Sequence, residues 1–566
     1  MTRCLVMRRL LRLGVVGLLL AVGALIYTQL LPQRGPLRWD EAVHAFKGLV
    51  IAHDLATLDG LSFLFDSYRQ VLYPPLHSWL VAAAYLAAGP SVTTAITITL
   101  ALFLIGGGVL YLAGGQVRPQ ATINWAGAVA ALLWLTSPAL VEYSVQTMLE
   151  VPGLVALAVA MLVFLKLLAE PDAPPREYRL LAAAIALTYF VRTPYGIILI
   201  LAVGITLLVE ARGRIHHLWT ARTFYLLLPL ALVFAIWFAY PAKLGSTWTW
   251  LVNYPDGVDD PYSAEGWLYY PLALVRIAGS PWLLALYLAG MVYALVERRP
   301  GPRFLVILAL VQVIVGEFHQ NKQSRYLFPV LPAWYLLAGN LLAGAGAWLA
   351  ARRPSTARWA GSLLALLLVG QSALLLNGAL HKTRPARPDP LGDYVIQTLQ
   401  TQGPATRTLV IGSMEMSHPT PPFLDWRLVA EQAILAAPAA GSAAQIDEGR
   451  KLAGMLARLP LPQKLAAALR RVLTGYDQPQ RVRTLYLGLP RRASYSQGAR
   501  PAAAFVQELI RAQQIDQVIL ITATRPQARY PRDLLAPGLE AAGWQRVAGA
   551  TFDTLVMQVE VFRRAP

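Results

Sequence analysis

Four short stretches of this sequence carry side chains that could do chemistry. The first is Arg38-Trp39-Asp40-Glu41-Ala42-Val43-His44, directly after a long apolar run. Two adjacent carboxylates are expensive near hydrocarbon, which makes them candidate functional groups. One could take the proton of a reacting hydroxyl while the other orients it or binds a cation. A solvated loop, or a helix start where acids favour the macrodipole, would explain the same pair. The second is Tyr73-Pro74-Pro75-Leu76-His77-Ser78-Trp79, which also reads as a rigid entry to an amphipathic helix with Pro in its first turn. The third is Glu150-Val151-Pro152, an acid at the mouth of an apolar run that could equally be a plain helix-start charge. The fourth runs from Glu317 to Tyr326 and contains Lys322 and Arg325. Two cations and a Tyr at a membrane boundary suit the capture of a lipid-linked phosphate, with Arg able to grip it bidentately. Snorkelling of long basic side chains toward headgroups is the plainer explanation. Lys322 and Arg325 would share one face of a helical turn, with Tyr326 opening the next span. Arg192-Thr193-Pro194 adds a further cation.

The elements that must position these residues lie in a membrane. The chain has 566 residues, 56% hydrophobic and 14% charged, with a mean hydropathy of +0.47. About a quarter of a soluble domain is charged, so a soluble globular protein is excluded. Apolar tracts of about 17–25 residues, the length that crosses hydrocarbon, fall at 13–31, 92–115, 122–141, 151–169, 179–193, 194–210, 224–241, 272–296, 304–320, 326–349 and 359–380. That predicts eleven spans. The stretch 76–88 is too short and reads as interfacial or re-entrant. The first span follows four arginines and exceeds a signal-peptide core in length, so it is expected to be retained.

Charge orients the spans. With the N-terminus inside, the inside loops hold Arg118; Arg176 and Arg179; Arg212, Arg214 and Arg222; Arg298, Arg299 and Arg303; Arg352, Arg353 and Arg358. Basic residues collect in cytoplasmic loops, so the +18 net charge belongs to topology. No nucleic-acid signature accompanies it. The four chemical stretches then all fall outside, in a multi-pass protein of the cytoplasmic (inner) membrane. Cys4 is the single cysteine, which excludes an intrachain disulfide and a thiolate metal site.

Residues 1–380 thus form the membrane domain, with the first outside loop at 32–91. A Pro-rich linker follows at 381–388, then an extracytoplasmic domain at 389–566. Runs at 408–412, 483–488, 517–522, 545–551 and 555–562 read as strands. A helical stretch at 502–513 completes an α/β pattern. It holds no phosphate loop, nucleophile triad or metal spacing.

In order and sidedness, Asp40-Glu41, Tyr73-Pro74-Pro75-Leu76, Glu150-Val151-Pro152 and Lys322-Gln323-Ser324-Arg325-Tyr326 resemble the GT-C superfamily of membrane glycosyltransferases. The likeness is to the branch of protein O-mannosyltransferases and lipid A aminoarabinose transferases, and covers roughly residues 10–380. That branch usually has Asp where Glu150 stands. The resemblance implies transfer of a sugar from a polyprenyl-phosphate carrier to an extracytoplasmic lipid, glycan or protein, with inversion. It makes Asp40 the acceptor's base and Glu41 its orienting or cation-binding neighbour. Lys322, Arg325, Tyr326 and Arg192 would then hold the donor phosphate. His44, Tyr73 and Glu150 are the candidate substrate contacts. No cofactor is demanded; a divalent cation on Asp40, Glu41 and Glu150 is the one addition the acids admit. The competing readings are a transporter or flippase, whose expected repeats the sequence lacks, and a non-catalytic envelope-assembly protein.

Overall fold

The structure is a computed structural model that describes residues 2–68, 70, 73–170, 172–212, 221–240, 243–245, 247–248, 260–382, 389–401, 406–413, 427, 484–489, 506–508, 510–511, 514–524, 530–553 and 556–564. The chain divides into two compact units. One comprises 1–34, 70–77 and 96–384; the other comprises 35–69, 78–95 and 385–566.

The helices in chain order are α1 (Thr2–Leu25), α2 (Trp39–Ala56), α3 (Gly60–Tyr68), α4 (Leu76–Ala88), α5 (Val92–Val117), α6 (Trp125–Thr136), α7 (Pro138–Ser144), α8 (Glu150–Ala169), α9 (Pro175–Val191), α10 (Thr193–Glu210) and α11 (Ala221–Phe238). After residues 241–259 come α12 (Ala264–Ala278), α13 (Pro281–Glu297), α14 (Pro300–Phe318), α15 (Val330–Arg352) and α16 (Pro354–Leu380). In lipid, backbone polar groups must be satisfied within the segment, which leaves helices as the way across for runs this long.

Among the described residues seven helical stretches are long and apolar enough to cross on their own, or nine if each bent pair is one span. The bends have local causes. Pro138 lacks the donor that would continue α6, and the axis turns by 62°. Between α12 and α13 the turn is 103°, at Gly279 with φ +86 and Ser280, whose hydroxyl caps Leu283 N at 3.2 Å. The eleven expected spans all coincide with helices or bent pairs. The difference in number lies at α9, only 17 residues long, and at the short apolar stretch 223–238 of α11. The 13 residues of α4 fall short of a ~30 Å core.

Burial ranks the spans. In α8, 78% of the apolar window is buried, against 11% in α16. Residues Val330 to Asn340 of α15 are buried throughout, as expected for a helix apolar on every side. At the end of the spans where the arginine-rich loops lie, a polar knot ties three helices. Arg118 donates to Asn340 Oδ1 and Tyr293 Oη at 2.8 Å each and to Glu297 at 3.0 Å. Asn340 Nδ2 donates to Glu297 Oε2 at 2.9 Å.

The C-terminal part is α/β. Helix α17 (Pro390–Gln400) precedes β1 (Thr408–Ser413), β2 (Thr484–Leu489), β3 (Gln517–Ala523), α18 (Tyr530–Ala541), β4 (Trp544–Phe552) and β5 (Met557–Arg564). The sheet order is β2-β1-β3-β5-β4, parallel in its first two pairings and antiparallel in the last two. The five expected strands are these five, displaced by at most two residues at either end. Of the helix expected at 502–513, residues 506–508 and 510–511 are described and helical. The linker expected at 381–388 lies outside the described residues from 383 onward. Leu391, Val395 and Ile396 pack on Val410, Ile519, Ile521, Val559 and Val561. Asp389 caps α17 through Gly392 N at 3.0 Å.

Candidate active site

The membrane unit brings three charged side chains to one place. Glu150 opens α8 and is fully buried. Its Oε1 lies 3.0 Å from Arg192 Nη2 and 3.6 Å from Arg325 Nε. Arg192 reaches it because α9 ends at Val191 and Arg192 itself is extended, with φ −150 and ψ 103, before Thr193 and Pro194 open α10. Gly153, one turn after Glu150, permits the approach. A Cβ there would stand 2.8 Å from the Tyr195 ring and 3.0 Å from Arg192 Cβ. Arg325 arrives from the short 3-10 turn Ser324–Leu327, and its Nε also donates to Gln323 Oε1 at 2.7 Å.

Aromatic rings cover the triad. The Arg192 guanidinium lies over the rings of Tyr195 and Tyr326, at 5.0 and 5.8 Å from their centroids. Arg325 is 5.6 Å from the Tyr326 ring. Burial raises the Tyr326 phenol above its usual range, with Arg192 and Arg325 pulling it back. Burial disfavours charge on Arg192, but Glu150 together with Tyr195 and Tyr326 outweighs it, so the guanidinium holds its proton more tightly than usual. Beside the triad, Tyr195, Tyr270, Tyr326 and Gln312 help to line a cavity of about 30 Å³, room for a water-sized guest.

Two arginines face one carboxylate. Glu150 makes no hydrogen bond among the described residues, and the guanidinium groups are its only recorded ion-pair partners. Desolvated charges are tolerated when paired, and the Glu150–Arg192 contact is such a buried pair.

Lys322 is placed differently from the expectation. It does not share a helical face with Arg325: Gln323 between them is extended, with φ −125 and ψ 134. Its buried ammonium pairs with Glu317 Oε2 at 3.0 Å, also donates to the Glu317 carbonyl, and lies 5.0 Å from the Tyr270 ring centroid and 5.6 Å from that of Trp267. Tyr326 sits in the 3-10 turn, before the next span rather than in it. Glu317, Tyr270 and Trp267 escaped the sequence reading as site residues. An acid five residues before a Lys across a helix end was the one available signal, and for the two rings there was none.

Asp40, Glu41 and His44 belong to the other unit, on the first turns of α2. Glu41 closes a capping box, accepting from Arg38 N at 3.1 Å, which satisfies an orphan helix donor. Glu41 and His44 are buried and Asp40 is half-buried. The spacing from Asp40 to His44 is one helical turn, which puts both on one face. Tyr73, in the membrane unit, stands in the turn that leads into α4. No three His, Cys, Asp or Glu side chains among the described residues are arranged to hold a metal ion. Glu150 in particular faces two guanidinium groups, a setting that suits an anion and not a cation.

No protein-family model matches the chain, and no curated protein matches it in sequence. Solved structures do resemble it. ArnT from Cupriavidus metallidurans bound to undecaprenyl phosphate aligns over 98% of this chain and 99% of its own, at 16% identity and a TM-score of 0.56. The apo state of ArnT aligns over the same shares at 17% identity and a TM-score of 0.55. The Archaeoglobus fulgidus oligosaccharyltransferase solved with Zn and sulfate covers 89% of this chain and 67% of its own, at 13% identity and a TM-score of 0.46. This chain shares the fold of ArnT: a polytopic helical membrane part followed by a C-terminal α/β part.

Proposed function

We propose that this protein is a membrane glycosyltransferase that moves a sugar from a polyprenyl-phosphate carrier to an acceptor on the outer side of the inner membrane. The observation that carries this reading is the convergence of Arg192 and Arg325 on the buried Glu150. It lies at the ends of membrane helices, where a lipid phosphate would present its headgroup. The fold likeness to ArnT, solved with undecaprenyl phosphate bound, supports the same donor class.

In the reaction an acceptor hydroxyl attacks the anomeric carbon while the bond from that carbon to the phosphate oxygen breaks. The electron pair leaves with the polyprenyl phosphate, and inversion follows from displacement at one face. Asp40 takes the acceptor's proton. Glu41 holds the start of α2 and orients Asp40. Arg325 and Arg192 offset the charge growing on the leaving phosphate, the kind of contact worth about 2–4 kcal/mol at a transition state. Lys322 and Tyr326 complete the donor side, and His44 and Tyr73 contact substrate. Transfer of labelled sugar from a polyprenyl-phosphate donor into membrane material, in vesicles containing the purified protein, tests the proposal. Asp40→Asn should abolish transfer with expression and insertion intact. Full turnover by that variant would overturn the assignment of the base, and absence of transfer by the parent to lipid, glycan and protein fractions alike would overturn the function.

A further inference from the structure

Helix α2 ends in a Schellman motif with a leucine at its left-handed position. Asp59 N donates to Asp54 O at 2.9 Å and Leu58 N donates to Leu55 O at 3.2 Å, the two bonds that define the motif. Leu58 has φ +56. Glycine ordinarily fills this place, because a side chain crowds the backbone there. Leu58 is also 90% exposed, so in water it would be disfavoured both by its backbone and by its apolar surface. Leu55, Leu61 and Leu64 are exposed as well, and the four follow one another at intervals of three residues around the α2–α3 corner.

The corner is built to hold these leucines out. Asp59 accepts from Ser62 N at 3.0 Å and from Ser62 Oγ at 2.9 Å, which caps α3 directly after the turn. Helix α2 lies against α4: a Cβ on Gly48 would stand 2.4 Å from Val81 Cγ1. Helix α3 is fastened to α4 by the bond from Trp79 Nε1 to Ser67 Oγ at 2.8 Å and by the Phe63–Trp79 ring pair at 5.3 Å. Only three residues separate α4 from the apolar helix α5.

We propose that the Leu55–Leu58–Leu61–Leu64 corner is a membrane anchor that inserts into the acyl–headgroup boundary of the bilayer. Lipid is the occupant the chain favours. The three-helix platform runs into α5, and the segment 34–91 is tethered at both ends to stretches apolar enough to span, Leu5–Gln33 and Val92–Val117. An apolar helix face held at that boundary binds by burying its surface there. Asp40 and Glu41 stand at the other end of the same 18-residue helix, so pinning the Leu58 end fixes the height at which those acids meet the bilayer surface.

Nitroxide labels on the full-length protein test this, with Cys4→Ser removing the one native thiol. In phosphatidylcholine–phosphatidylglycerol vesicles, labels at Leu58→Cys and Leu64→Cys should collide with oxygen several-fold more than with an aqueous nickel chelate. A label at Glu540→Cys, on an exposed helix position of the C-terminal part, should show the reverse preference. If positions 58 and 64 behave like 540, or are shielded from both reagents as under a protein partner, the proposal fails. Leu58→Gly should unfold in detergent at no lower temperature than the parent, since it relieves the backbone. A lower unfolding temperature would make Leu58 a packing residue and overturn the anchor.

Discussion

Lys322 and Arg325 stand three residues apart and answer to different carboxylates, Lys322 to Glu317 at 3.0 Å and Arg325 to Glu150 at 3.6 Å. The Lys322 pair is balanced, one charge against one. At Glu150 a second cation, Arg192, joins Arg325 on the same carboxylate.

Arg325→Ala should lower donor use by about a hundredfold or more, the equivalent of 2–4 kcal/mol at the transition state. Arg325→Lys should recover part of it, since the charge returns without the planar fork. Donor-saturation kinetics on the folded variants checks this. Near-normal turnover in Arg325→Ala would remove the phosphate role and leave an interface anchor.

Glu150→Gln should be costly to the fold itself. It takes the carboxylate away from the buried guanidinium of Arg192, and removing one partner of a buried pair costs about 3–5 kcal/mol. Adding Arg192→Met to Glu150→Gln should restore part of the stability by removing the buried guanidinium that lost its partner. Unfolding of the purified variants in detergent measures both, and a double variant no more stable than Glu150→Gln would contradict the charge account.

Asn340→Leu should destabilise the membrane unit by about 1–3 kcal/mol, through unsatisfied groups left on Arg118 and Glu297. Arg118 is held by Asn340, Tyr293 and Glu297, away from the sugar chemistry. The donor KM should therefore stay unchanged while the unfolding temperature falls. A raised KM with unchanged stability would be the opposite result.

The arginine-rich loops predict a cytoplasmic N-terminus and an extracytoplasmic C-terminal domain. Reporter fusions after Arg303 and after His381 should give opposite sides, cytoplasmic for the first. Agreement between them would mean that one of the three apolar helices between these points, α14, α15 or α16, does not cross.

Much of the fold was legible in residue order because its causes are local. Hydrocarbon thickness sets the length of a span, so apolar runs such as 92–115 and 151–169 marked α5 and α8 to within a turn. Alternation marked the strands, and Pro138 and Pro281 stand at the two sharp bends. The chemical residues were legible as types: Asp40, Glu150 and Arg325 stand out because charge at a membrane boundary is costly. Which charge faces which was decided only by the tertiary structure. Arg325 and Glu150 lie far apart in sequence and meet because the break before Pro194, the close packing at Gly153 and the turn at Ser324 bring three separate segments together. Lys322 turns to Glu317 because Gln323 is extended, a backbone choice that no helical spacing encodes. Pairing of charges depends on distances across the packed bundle, and those distances exist only once the helices have chosen their neighbours.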